Sequence, residues 1–180
     1  MIKTLEEKTL FSGKVVKIIE RTIKVGKRII KREMVKQPNG ISIVPVDKDG
    51  NVYLVKEFFV GAEKEIYALP GGKTDAETQN EFEKEAQREL REEIGMRAKK
   101  LIKLHATFSA PWFVKRKVTY FLGLDLVPDS LQTEDEDEVL EVVKMPLNEA
   151  IKKLENDYVT DAVTLGYLYI ARDKLKNLDY

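Results

Sequence analysis

Arg88-Glu89-Leu90-Arg91-Glu92-Glu93-Ile94-Gly95-Met96 is the stretch on which the reading of this chain turns. The pattern predicts a helix from about Glu81 to Ile94, stopped by Gly95, which accepts the left-handed backbone a helix end needs. On such a helix residues at i, i+3 and i+4 share a face, so Glu89, Glu92 and Glu93 line up, with Glu85 one turn earlier. Like charges at that spacing cost roughly a few tenths of a kcal/mol per pair. The stripe therefore calls for a counter-charge, and a hard divalent cation with oxygen ligands answers that need. Arg88 is placed to orient Glu92 or a neighbouring carboxylate through a bidentate pair. The bland alternative is a solvated, salt-bridged helix face. The flanks weigh against it: Pro70-Gly71-Gly72, expected to form a tight turn, precedes the helix, and Gly95 and Met96 close it at a fixed offset.

Upstream, residues 10 to 36 predict two or three strands, with Lys14 to Ile19 passing through a Gly26-Lys27 turn into Arg28 to Val35. Gln37-Pro38-Asn39-Gly40 breaks that pattern, which puts a boundary near 38. The organisation expected is an N-terminal β subdomain over 1–38 and a main domain over 39–180. Ile41 to Val46 and Asn51 to Val55 flank Asp47-Lys48-Asp49-Gly50, a hairpin signal, and a further strand leads to Ala68. Lys73 to Asn80 is a polar connection. Downstream, strands are expected over Ala98 to Phe108, Val118 to Leu126 and Glu138 to Lys144, with an acidic loop from Pro128 to Asp137. Helices are expected from Pro146-Leu147 to about Asn156 and from Ala162 to Leu175. The class is α+β with a mixed sheet.

Composition narrows the chemistry. The chain holds 31 basic and 31 acidic residues, so no global field recruits nucleic acid or an anionic membrane. It has no cysteine and one histidine, His105, which removes disulfides, thiolate zinc sites and cysteine nucleophiles. His105, in a strand-like run, is expected to be structural. Gly72-Lys73-Thr74 suggests a phosphate loop, but that motif needs glycine at position 67, which is Tyr67. No apolar run has membrane-spanning length and the start lacks a secretory apolar stretch. A soluble, cytoplasmic protein is expected.

Residues 88 to 96 match at every fixed position the second half of the signature of the Nudix hydrolases, and the chain resembles that family. The first half departs: Asn80 stands where the first glutamate belongs, Glu81 is one place late, and seven residues rather than five separate Gly72 from Asn80. This is a two-residue insertion in the loop. An extra N-terminal strand subdomain, Pro111 fifteen places beyond Met96, and the acidic run Glu134 to Val142 resemble the ADP-ribose pyrophosphatase-like branch.

The resemblance implies an α/β/α sandwich and Mg²⁺-dependent hydrolysis of ADP-ribose or a related nucleoside-diphosphate sugar, with Mn²⁺ as an alternative ion. It implies metal anchoring by Glu89, Glu92, Glu93 and the Gly71 carbonyl, and catalysis involving Glu92, Glu93 and Arg88. Glu138, with Glu136 second, is nominated as general base. Arg32, Phe58, Pro111 and Trp112 are the expected substrate contacts. A homodimer through the N-terminal strands is expected by the same analogy. The branch often carries arginine near Glu57-Phe58-Phe59, which this chain lacks. Three rivals are a dinucleoside polyphosphate or triphosphate hydrolase, a non-catalytic nucleotide sensor, and an RNA binder using Trp112 to Lys117.

Overall fold

The computed structural model describes residues 1–131 and 141–178. Its strands are β1 (Ile2–Ser12), β2 (Lys17–Val25), β3 (Arg28–Lys36), β4 (Gly40–Val46), β5 (Asn51–Phe59), β6 (Lys64–Ala68), β7 (Gly71–Lys73), β8 (Met96–Phe108), β9 (Val114–Lys115), β10 (Lys117–Pro128) and β11 (Glu141–Pro146). The helices are α1 (Gln79–Glu93), α2 (Leu147–Asn156) and α3 (Ala162–Lys176). The chain divides into two compact units, Met1–Gly40 with Ala106–Val118, and Ile41–His105 with Thr119–Tyr180.

The first unit is a four-stranded sheet in the order β1-β2-β3-β9. Strands β2 and β3 pair antiparallel across Gly26, whose φ of +60 fits the turn expected there. Strand β9 adds parallel to β3 at Val35 and Lys36. Two expectations are corrected here. Lys14 to Val16 belongs to a turn, closed by the Gly13 N–H donating to Val16 O at 2.9 Å, so the strand begins at Lys17. Ile2–Ser12, which begins well before the strands expected from residue 10, pairs along β2 with register shifts at Thr4/Glu6 and Thr9/Phe11.

The second unit carries the core. Its sheet runs β11-β5-β4-β10-β8, with β6 on β5 and β7 on β4. Helix α1 presents Phe82, Ala86 and Leu90, one turn apart, to a cluster of Ile41, Ile43, Tyr53, Val55 and Phe121. Helix α2 buries Leu147, Ala150, Ile151 and Leu154, and α3 buries Tyr167, Leu168, Ala171 and Leu175. The Asp-Gly hairpin expected between β4 and β5 forms, with Gly50 at φ +76. Its Asp47 carboxylate accepts from the backbone N–H groups of Asp49 and Asn51, both at 2.9 Å, and meets Lys144 Nζ at 2.7 Å. Burial of Asp47 opposes ionisation, but Lys144 and these N–H groups more than offset it and hold the carboxyl at about 2.

Gly71–Lys73 is corrected too: it is a short strand beside β4, not a tight turn. A Cβ on Gly71 would lie 2.2 Å from Ile41 O, so the double glycine serves close backbone approach. Both terminal helices form where expected. The expected start of β11 at Glu138 lies outside the described residues. Two units of strands with three helices make an α+β protein. Among the described residues no helix is long and apolar enough to cross a membrane.

Candidate active site

Helix α1 owes its position to its ends. The Thr78 hydroxyl accepts from the Glu81 N–H at 3.3 Å, and the Glu81 carboxylate accepts from the Thr78 N–H at 2.9 Å. This reciprocal cap sets the first turn. Gly95, with φ +67, follows the last. Between them Phe82, Ala86, Glu89, Leu90 and Glu93 fall at i, i+4, i+7, i+8 and i+11, a single stripe. The sequence thus puts two carboxylates on the helix's apolar side, and Glu89 is only 6% exposed.

What faces them is the glycine strand β7. A Cβ on Gly72 would stand 2.4 Å from Glu89 Oε1, so that carboxyl lies directly against the Gly72 backbone. The Gly71 N–H donates to Glu93 Oε2 at 3.1 Å. Arg88 gathers the rest of the stripe. Its Nε and Nη2 donate to Glu85 Oε2 at 3.1 and 3.0 Å, Nη1 donates to Glu92, and Nη2 also reaches Glu89. Desolvation raises the Glu89 pKa; the Arg88 guanidinium opposes this and Glu92 reinforces it. Three carboxylates, Glu85, Glu89 and Glu92, share one guanidinium.

These groups suit a hard divalent cation in donor chemistry: carboxylate and carbonyl oxygens, with no thiolate or imidazole. Carried on one helix that faces a backbone strand, they fit such an ion by donor type. In the arrangement they hold, Arg88 supplies the counter-charge, and no three acidic or histidine side chains among the described residues stand together at metal-ligand spacing.

The structure therefore brings together Gly71, Arg88, Glu89, Glu92 and Glu93. It places the other candidates as follows. Phe58 is exposed at the end of β5. Arg32 lies on β3, donating to its neighbour's carbonyl, Lys31 O, at 2.9 Å. Pro111 and Trp112 occupy a turn closed by the Val114 N–H on Ala110 O at 2.8 Å, and Trp112 is 75% exposed, its ring 6.1 Å from that of Phe113. Arg32, Pro111 and Trp112 belong to the first unit, Phe58 and the carboxylates to the second. Glu136 and Glu138 lie outside the described residues. The His105 ring lies 6.5 Å, centroid to centroid, from that of Tyr167 on α3. Gly72 and the Thr78–Glu81 cap were absent from the expected site. The Thr-x-x-Glu spacing was the legible signal for the cap.

Comparison with known proteins identifies the family. Residues 36–164 match the NUDIX domain. The chain is 36% identical over 170 residues to an ADP-ribose pyrophosphatase of Bacillus subtilis (strain 168), covering 91% of each protein. It is 31% identical over 150 residues to the ADP compounds hydrolase NudE of Escherichia coli (strain K12), across 83% of this chain and 78% of that one. It is 25% identical over 165 residues to a methanol dehydrogenase activator of Bacillus methanolicus, covering 91% and 88% of the two chains. A crystal structure of an ADP compounds hydrolase superposes with a TM-score of 0.84 at 26% identity, over 98% of this chain and 95% of the other. With a family model over residues 36–164, a relative 36% identical across most of the chain and the fold in agreement, the chain belongs to the Nudix hydrolases.

Proposed function

We propose that this enzyme hydrolyses the pyrophosphate bond of ADP-ribose or a related nucleoside-diphosphate sugar in the presence of Mg²⁺, releasing a nucleoside monophosphate and a sugar phosphate. The observation that carries the chemistry is the packing of the Glu89 and Glu93 carboxylates against the Gly71–Gly72 backbone. Similarity to the Bacillus subtilis ADP-ribose pyrophosphatase supports the substrate class.

Glu89, Glu92, Glu93 and the Gly71 carbonyl would hold Mg²⁺, or Mn²⁺ in its place. When bound, such an ion neutralises diphosphate oxygens and acidifies water. The chain's own residues do the positioning. Arg88 fixes the rotamers of Glu92 and Glu89, and the Gly71 N–H fixes that of Glu93. Glu138, or Glu136 in second place, takes the proton as the water oxygen attacks phosphorus. The bridging P–O bond breaks and the leaving phosphate departs with the bridging oxygen. Trp112 and Phe58 offer rings for stacking a base, Pro111 shapes the same region of sequence, and Arg32 offers a cation to phosphate.

Residues 39–180 form the hydrolase domain in this reading, and residues 1–38 contribute substrate contacts and dimerisation. A homodimer through the N-terminal strands is supported by the exposed apolar side chains Ile2, Leu5, Leu10 and Phe11 on β1. The cytoplasm is the proposed location. Similarity to ADP compounds hydrolases favours a second reading, with dinucleoside polyphosphates among the substrates. Incubation with nucleotide sugars, dinucleoside polyphosphates and triphosphates plus Mg²⁺ tests both. AMP and ribose 5-phosphate from ADP-ribose are expected. Silence across the whole set, with the protein folded, sinks the catalytic reading in favour of a nucleotide sensor.

A further inference from the structure

The segment Leu69-Pro70-Gly71 is held by three different elements, one per residue. The Gly71 N–H donates to Glu93 on α1 at 3.1 Å. Pro70 O accepts from the Ile43 N–H at 2.9 Å and from Ser42 Oγ at 3.2 Å, both on β4. The Leu69 N–H donates to Thr164 Oγ1 on α3 at 3.3 Å. The first two holds belong to the neighbourhood already described. The third comes from a helix that carries none of the proposed ligands, ninety-five residues along the chain.

Thr164 is 2% exposed, and its hydroxyl is committed in both directions. Its proton goes to Asp161 Oδ2 at 2.7 Å, which leaves its lone pairs toward Leu69. Asp161 is also the N-cap of α3, accepting from the N–H groups of Val163 at 3.2 Å and Thr164 at 2.9 Å. A hydroxyl that donates to a carboxylate is a stronger acceptor at its own oxygen. Cap, hydroxyl and connecting backbone thus form one chain, Asp161–Thr164–Leu69, continuing through Pro70 to Gly71 and Glu93.

We infer that Asp161 and Thr164 are positioning residues for the proposed metal site, holding the Leu69–Gly71 backbone so that the Gly71 carbonyl and the Glu93 carboxylate keep a fixed relation. The inference rests on the metal-site reading above, because it assigns a task to residues that touch neither substrate nor ion. Removing the hydroxyl leaves the Leu69 N–H buried without an acceptor. The segment then shifts toward another partner. It cannot move closer to β4, where even a methyl on Gly71 would collide with Ile41 O.

The test uses the full-length chain in four forms: unsubstituted, Thr164→Val, Thr164→Ser and Asp161→Asn. Mn²⁺ binding without substrate is followed by electron paramagnetic resonance, with melting temperature and steady-state kinetics across a Mg²⁺ series measured alongside. Thr164→Val should weaken Mn²⁺ binding and raise the Mg²⁺ needed for half-maximal rate by about tenfold or more, while KM for the nucleotide at saturating metal stays within about twofold. Thr164→Ser, which keeps the hydroxyl, should recover Mn²⁺ binding to within about threefold of the original. If Thr164→Val binds Mn²⁺ like the unsubstituted protein and merely melts lower, Thr164 is only a helix anchor and the inference falls. Should Thr164→Val fail to fold, Asp161→Asn decides: it keeps a helix cap but offers the hydroxyl a weaker acceptor, and unchanged Mn²⁺ affinity overturns the proposal. An unsubstituted protein that binds no Mn²⁺ removes the metal site itself, a result separable from the loss of this linkage alone.

Discussion

In β4 six of seven residues are buried; in β1 all eleven are exposed. Both are strands of the same chain, but different forces hold them. Strand β4 is enclosed on both faces, and its Ile41-Ser42-Ile43-Val44-Pro45-Val46 run is nearly continuously apolar because both faces need filling. Strand β1 exists by its backbone ladder to β2 and by surface ion pairs such as Arg21 with Glu7, a kind of contact that contributes about 0–1 kcal/mol. The proposed chemistry stands on the well-packed unit. Carboxylates that oppose one another need a frame stiff enough to hold them, and a core of fully buried Leu90, Phe121, Ile43 and Val44 supplies it.

Four measurements press on that contrast. The largest effect is expected at the carboxylates: Glu92→Gln and Glu93→Gln should each lower kcat by about 10³-fold, with melting temperatures close to the parent's. Normal turnover in both would detach the chemistry from the packed unit altogether. Next, Leu90→Ala removes a fully buried side chain beneath the site and should cost about 3 kcal/mol in urea unfolding.

Third, Asp47→Asn tests a polar anchor of the same unit. The folded pKa of Asp47 lies below its usual value, so its stabilisation is present above about pH 4 and is lost as pH falls toward about 2. The substitution should cost about 2 kcal/mol at neutral pH, and the two proteins should converge in stability as acid is added. A constant gap down to pH 2 would refute the Lys144 and backbone account. Smallest of all, Ile29→Ser on β3, at a side chain 67% exposed, should change stability by less than about 0.5 kcal/mol in dilute solution. A loss several times larger that grows with protein concentration would show that a second copy covers this sheet.

The carboxylate helix was legible because its signals are local. Glutamate spacing, Gly95 and the apolar stripe all fall within sixteen residues, and burial reinforces each. The hairpin at Asp47–Gly50 and the starts of α2 and α3 were legible for the same reason. Strand β1 was not, because Ile2–Ser12 has no buried face to impose an alternation; only its partner β2 makes it a strand. Gly71–Lys73 was read as a turn because paired glycines usually are one, whereas here the missing side chains let β7 lie against β4 and Glu89. Val114–Lys115 joins β3 across some eighty intervening residues, and no local pattern announces such a pairing. The same holds for Thr164 at Leu69.

That last link bears on how the protein comes to life during synthesis. When the ribosome has delivered β4, β7 and α1, two of the three ties on the glycine segment can already close, but the third waits until Thr164 has emerged and α3 has wound. A nascent chain short of that point can display its glutamates without the backbone brace they work against. Competence to bind metal would then arrive late, as one of the final events of folding.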